Sequence, residues 1–113
     1  MLSDAGVRIT LCGDTGITGQ FFGYAEHREL EVLAAAGLTP LQVIRAGTAT
    51  PAEILGLKDL GTLAPGKRAD FIVLNANPLE RLSNTRQIAA VYRAGRAIDR
   101  EAMRAAWTRP QSQ

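Results

Sequence analysis

The sequence predicts an α+β fold in which helices occupy the first half of the chain and β-strands the second. Two helix-start signals, Thr39-Pro40 and Thr50-Pro51, favour consecutive helices. The turn residues Pro65-Gly66 precede the apolar run Phe71 to Leu74, which is typical of a strand. The 113 residues are enough for one domain with its own core.

The chain is expected to begin with a strand and a loop. Val7, Ile9 and Leu11 alternate with polar neighbours, so a strand is predicted over residues 7–12. Residues 13–23 contain four glycines and no hydrophobic period, which indicates a loop. A functional side chain early in this loop would therefore lie at the end of the strand.

Three helices are predicted next. The first covers residues 26–36, with its apolar side chains on one face and Gly37 at the left-handed position that ends it. In the second, Thr39 is the expected N-cap, Pro40 occupies the first helical position and Gln42 can complete a capping box.

The third predicted helix is short. Thr50-Pro51 repeats the start signal with Thr50 as N-cap, and the helix is expected to end at Leu55 or Leu57. Near the end of the chain, residues 100–107 are predicted to form a terminal helix, and the tail from Pro110 onward is expected to fray.

The segment between these helices is predicted to be β structure. Thr62-Leu63 and residues 70–74 are expected to pair across the Pro65-Gly66 turn, with Gly66 at positive φ. Residues 88–98 are expected to form a second hairpin around Ala94-Gly95. Both turns place glycine where a side chain would strain the backbone.

Composition excludes several classes of protein. Hydrophobic residues make up 46% of the chain and charged residues 21%, too apolar a balance for disorder. The net charge is +2, and the basic residues are scattered along the chain without the basic runs typical of nucleic-acid binding. Cys12 is the only cysteine, expected to be a buried, inert thiol. With no apolar run of membrane-spanning length, a soluble, cytoplasmic protein that binds neither nucleic acid nor membrane is expected.

Five motifs follow one another along the chain: Glu29 to Leu33, Ala36 to Pro40, Ala46 to Ala52, Leu55 to Leu57, and Pro65 to Asp70. With the order of the predicted elements, they resemble the C-terminal part of the metal-dependent amidohydrolases, nearest to imidazolonepropionase- and prolidase-like enzymes. Together they lie within residues 6–100, nearly the whole chain.

The resemblance implies how the chain is divided. Residues 1–57 would supply the last strand, the glycine loop and the closing helices of a (β/α)8 barrel. Residues 58–100 would supply β hairpins of the family's small β-sandwich, and residues 101–113 a terminal helix and frayed tail. Because a complete barrel needs about 250 residues, an incomplete barrel is expected.

The resemblance also gives Asp14 a catalytic and metal-binding role in the parent site. It matches the family's aspartate after the eighth strand, which binds one divalent, zinc-like metal and accepts a proton from the attacking water. Where the family commonly has Gly-Thr-Asp or Gly-Ser-Asp, this chain has Cys12-Gly13-Asp14, with glycine in place of the hydroxyl residue. In the isolated chain, Asp14 is expected only to cap a turn.

His27 is the only histidine. Some amidohydrolases place a histidine near this point against the substrate, whereas the local pattern predicts an exposed residue on the first helical turn. One histidine and one aspartate do not reach the three or four protein ligands of a zinc site, so the chain alone is expected to bind no metal and to be inactive.

Other interpretations remain open at the level of sequence. Asp14-Thr15-Gly16 also occurs in retroviral-type aspartic proteases, although those are nearly all β and the helix-start signals here disagree. The glycine spacing of the loop matches neither a P-loop nor a dinucleotide fingerprint. Besides an inactive amidohydrolase fragment, the chain could be a self-associating structural module, or an enzyme completed by another chain. A homo-oligomer or a complementing barrel chain is the expected partner.

Overall fold

The computed structural model describes residues 5–108, in which helices precede a small antiparallel sheet, as the α+β prediction expects. The elements in order are α1 (Ala25–Ala35), α2 (Pro40–Ala46), α3 (Ala49–Ile54), β1 (Phe71–Leu74), a 3₁₀ helix (Leu82–Arg86), β2 (Ile88–Arg93), β3 (Arg96–Ala97) and α4 (Arg100–Thr108). The tail expected to fray from Pro110 lies outside the described residues.

The first two helices lie where they are predicted, with α1 beginning and ending one residue earlier than expected. Gly37 follows α1 with φ +99°, the left-handed conformation that ends a helix. At the start of α2 the capping box is complete, because Gln42 Oε1 accepts the Thr39 amide at 2.8 Å while Thr39 Oγ1 accepts the Gln42 amide at 3.4 Å. These short-range bonds explain why the sequence alone indicates both helices.

Helix α3 begins earlier than predicted. Its first residue is Ala49 and its N-cap is Thr48, so the prediction that Thr50 caps the helix is wrong. The Thr48 hydroxyl donates instead to the Ile44 carbonyl at 2.8 Å, in the last turn of α2. The amides in the first turn of a helix have no partner within the helix, so a proline there loses no hydrogen bond. Pro51 therefore fits at the third helical position as well as it would at the first.

The sheet has the order β1-β2-β3, with both pairs antiparallel. Phe71 lies opposite Tyr92, and their rings stack with centroids 4.6 Å apart. The hairpin predicted around Ala94-Gly95 is confirmed, with φ of +49° and +76° at its two central residues. Asp70 stabilises this unusual alanine conformation, since its Oδ1 accepts the Ala94 amide at 2.6 Å.

Two predicted strands are wrong. Residues 7–12 are not in a strand, and the Leu11 amide donates to the Ala46 carbonyl of α2 at 2.8 Å rather than to a neighbouring strand. Thr62-Leu63 does not pair with β1, whose partner is β2. The Pro65-Gly66 turn itself is confirmed by φ +80° at Gly66. Alternation of side chains is a local pattern, whereas a strand also needs a partner for its backbone hydrogen bonds.

The core lies between the helices and the 3₁₀ helix. Val43 is completely buried, and Leu38 and Leu82 are nearly so. The other buried apolar residues are the alanines Ala25, Ala46, Ala49 and Ala52. Because Leu82 comes from the segment between β1 and β2, the sheet is anchored to the helices through this one shared core.

The molecule exposes more surface than its mass predicts. Its accessible area is 8524 Å², whereas a compact monomer of this mass exposes about 6,000 Å². Leu55 and Leu63 are each 70% exposed. Within residues 5–108 the helices are all too short or too polar to cross a membrane.

Candidate functional site

Asp14 lies in the loop between Leu11 and α1, where its side chain is exposed. It lines an open pocket of about 280 Å³, together with Cys12 and Gly13 before it and Arg28 and Glu29 on α1. Gln20 and apolar side chains of the loop and of α1 complete the lining. Two carboxylates, a thiol and a cationic side chain thus surround one concave surface.

Glu29 ties the start of this loop to α1. Its Oε1 accepts the Cys12 amide at 2.9 Å, across 17 positions of the chain. Its Oε2 is buried and has no hydrogen-bond partner among the described residues. A Cβ added at Gly13 would lie 3.1 Å from that oxygen, closer than ordinary packing allows. Glu29 therefore fixes the backbone immediately before Asp14.

Sequence reasoning missed Glu29 because glutamates near the start of a helix, Glu29 among them, are explained by the helix dipole alone. The only available signal was the glycine before Asp14, which the structure connects to Glu29. The prediction that Cys12 is buried is also wrong, since its side chain is exposed. A strand facing a barrel core would have buried it, but residues 7–12 have no strand partner in the described chain.

His27 lies on a different face of α1 and does not line the pocket of Asp14. Its Nδ1 lies 3.0 Å from Thr85 Oγ1, and the Thr85 hydroxyl donates to the Leu82 carbonyl at 2.7 Å. Because that hydroxyl proton is already used, Thr85 accepts from Nδ1–H of His27. The imidazole is partly buried here, so the prediction of an exposed residue is wrong.

The surroundings of His27 favour its neutral form. Burial lowers the pKa of His27, and the positive charge of Arg86 lowers it further, while Glu26 and Glu31 act in the opposite direction. Arg86 is itself held by Glu31 at 3.1 Å and lies over the Tyr24 ring. A neutral imidazole that donates from Nδ1 carries its free lone pair on Nε2.

The described residues do not by themselves fit a divalent metal centre. Within residues 5–108, no three side chains of histidine, cysteine, aspartate or glutamate are grouped so that they could hold a metal ion. Asp14 offers a single carboxylate, and His27 is directed to Thr85. A tetrahedral or higher-coordinate centre would need further ligands beside Asp14.

Comparison with known proteins identifies the family. The profile described as "Amidohydrolase family" matches residues 1–98. The chain therefore belongs to the amidohydrolase family, as its motifs indicate.

Particular relatives agree with the predicted subgroup. An imidazolonepropionase from Deinococcus deserti is 40% identical over 65 residues, which are 55% of this chain and 16% of that protein. An adenine deaminase from Desulfitobacterium hafniense is 39% identical over 67 residues, 59% of this chain and 11% of that protein.

Solved structures cover more of the chain. A Bifidobacterium longum protein, provisionally described as a prolidase, is 44% identical with a TM-score of 0.80, covering 87% of this chain and 24% of that one. Phenylurea hydrolase B is 29% identical with a TM-score of 0.82, covering 89% of this chain and 26% of that one. The chain thus spans a quarter or less of most of these proteins.

Proposed function

We propose that this chain is the C-terminal segment of a metal-dependent amidohydrolase that hydrolyses a C–N bond in an amide, a cyclic amide or a dipeptide-like substrate. Asp14 would supply one carboxylate to the metal centre and hold the proton taken from the attacking water. The observation that carries the proposal is the place of Asp14, exposed in a pocket and tethered through Cys12 to Glu29, within the part of the chain that matches the family.

The remaining metal ligands would come from residues outside this segment. Residues 1–57 would then complete a (β/α)8 barrel and residues 58–100 a β-sandwich, with the missing strands supplied by a longer chain or by a separate one. The exposed apolar side chains support this, because Leu55, Leu63 and Phe22 lie uncovered where a soluble domain ordinarily buries most such groups. By itself the segment would bind no catalytic metal pair and would be inactive.

A chimera tests the proposal directly. Residues 5–108 replace the matching quarter of the Bifidobacterium longum protein, a region in which the two chains are 44% identical. Bound metal is measured by elemental analysis, and hydrolysis is measured on a panel of dipeptides, N-acyl amino acids and cyclic amides. The chimera should retain the host's metal content and its hydrolysis, and Asp14→Asn should reduce both.

Asp59→Asn is the matched control, because Asp59 is also an exposed aspartate but does not line the Asp14 pocket. A folded chimera whose metal content and hydrolysis are unchanged by Asp14→Asn would overturn the proposal. Two tightly held metals in the isolated chain would also contradict it.

A second candidate is a structural module that associates with a copy of itself. An apolar groove of about 740 Å³ runs between α3 and β1 and is lined by Leu55, Leu63 and Ile72, among others. One edge of β1 is free, because β1 ends the sheet order within the described residues. The surface exceeds that of a compact monomer by about 2,500 Å², and a stable interface needs only about 800 Å² from each partner.

Light scattering at micromolar concentration tests this candidate. The chain should form at least a dimer, and Leu63→Glu should shift it to the monomer. Leu41→Glu is the control, since Leu41 is 56% exposed and lies outside the groove. A monomer that melts cooperatively would exclude self-association.

A further inference from the structure

We propose that Glu29 is a positioning residue for Asp14, holding the backbone of Cys12 and Gly13 so that the carboxylate keeps its place in the pocket. This inference rests on the proposed function of Asp14 and adds the group that controls its position. It is carried by three features of the Glu29 carboxylate: a long-range hydrogen bond, a buried oxygen without a donor, and a close approach to Gly13.

The hydrogen bond joins the loop to a rigid element. Glu29 lies in the second turn of α1, and its Oε1 accepts the Cys12 amide at 2.9 Å. A carboxylate accepting a backbone N–H forms a stronger bond than a neutral acceptor does. The residue two positions before Asp14 is therefore fixed to a helix rather than to another part of the flexible glycine loop.

The second carboxylate oxygen explains the glycine. Glu29 Oε2 is buried beside Gly13, where an added Cβ would approach it to 3.1 Å. Gly13 has no positive φ, so its backbone conformation does not require glycine. A side chain at this position would instead press on the Glu29 carboxylate, which would have to move by a few tenths of an ångström to make room.

A local turn carries the constraint on to Asp14. The Thr15 amide donates to the Gly13 carbonyl at 2.9 Å, so this bond spans Asp14. The aspartate is thus bracketed by the Cys12–Glu29 bond before it and the Gly13–Thr15 turn around it. A buried carboxylate oxygen without a donor costs free energy. Packing of the core does not account for that cost, whereas positioning of the loop does.

Amide hydrogen exchange in the isolated chain tests the tether without using activity. Glu29→Ala should reduce protection of the Cys12 amide by about tenfold or more, the loss expected for a hydrogen bond to a charged acceptor. Glu29→Gln should restore most of that protection, because its side-chain oxygen can still accept.

Glu53→Gln is the control, since Glu53 is an exposed glutamate on α3 that pairs only loosely with Arg45. It should leave the Cys12 amide unchanged, while the Val43 amide reports that every variant keeps its core. Unchanged Cys12 protection in Glu29→Ala, with the core intact, would overturn the tether.

The chimera tests whether the hydrogen bond from Cys12 to Glu29 also positions Asp14 for metal binding and hydrolysis. There Glu29→Ala should lower kcat and metal content with little change in KM, and Glu29→Gln should recover part of both. If Asp14→Asn lowers metal content while Glu29→Ala does not, the positioning role is wrong although the function of Asp14 stands. If Asp14→Asn has no effect, the proposed function fails, whatever the exchange experiment shows.

Discussion

The two faces of α1 differ in how completely the described chain covers them. On one face His27 donates to Thr85, which donates to Leu82, so the imidazole Nδ1 and the Thr85 hydroxyl both have partners. On the other face Glu29 has one satisfied and one unsatisfied oxygen, and beyond it Asp14 lies exposed in an open pocket. Helix α1 thus has one face that is packed against the rest of the described chain and one face that borders an open pocket.

The two faces of α1 contain residues of two kinds. Those on the His27 face stabilise the folded segment, and those on the Asp14 face do not. The His27 face is closed by the 3₁₀ helix, which also places Leu82 in the core. On the Asp14 face the loop that begins at Cys12 lies against α1, and the pocket between them is open within residues 5–108. Substitutions on the packed side should therefore change the free energy of unfolding, whereas changes at Asp14 should not.

The largest loss of stability is expected at Gly61, which packs tightly against α3. Gly61 has φ +82°, and an added Cβ would lie 2.6 Å from Ala52 Cβ and 2.8 Å from the Thr48 carbonyl oxygen. Gly61→Ala should therefore destabilise the chain by about 3 kcal/mol, from strained backbone and overpacking together. The measurement is the free energy of unfolding in denaturant.

Gly66→Ala is the matched control, because Gly66 has φ +80° and no atom within 4 Å of an added Cβ. It should cost only the backbone strain, about 1 kcal/mol. Equal costs at the two glycines would show that the contacts around Gly61 do not limit the fold. No cost at Gly66 would show that its turn relaxes.

A smaller effect is expected at His27, and it depends on pH. Burial and Arg86 lower the pKa of His27 in the folded chain, so the unfolded chain binds its proton first as the pH falls. The contribution of the neutral imidazole is therefore complete above the unfolded pKa of about 6.5. It is lost as the pH falls from there through the lower folded pKa.

His27→Gln is a suitable comparison, because its amide N–H can still donate to Thr85 without titrating. Unfolding of both proteins should be followed at several pH values on either side of neutrality. The original chain should lose stability on acidification, and the variant should lose less. A parallel decline in both proteins would mean that another group causes the pH dependence.

Sequence predicted the helices better than the strands because their signals are local. The capping box of Thr39 and Gln42 spans four residues, and Gly37 ends α1 by its own conformational freedom. Residues 7–12 carry an equally clear alternation but find no strand to pair with in the described chain. Likewise β1 was recognised as a strand, but its partner β2 lies beyond the neighbouring turn.

The candidate site was predictable only in part for the same reason. Asp14 is identified through the family motif, and the structure places it in an open pocket. Glu29 is not, since its bond to Cys12 crosses 17 positions and leaves no short-range pattern. The contact between His27 and Thr85 crosses 58 positions, which is why the histidine was expected to be exposed.

The smallest effect on stability is expected at Asp14 in the isolated chain. Its side chain is exposed and water screens it, so Asp14→Asn should change the free energy of unfolding by less than about 0.5 kcal/mol. The isolated chain should also show no hydrolysis of N-acyl amino acids, dipeptides or cyclic amides with added zinc or manganese, because its described residues provide too few ligands. Both proteins are measured side by side. Hydrolysis by the original chain that disappears in Asp14→Asn would show instead that copies of this chain complete the site between them.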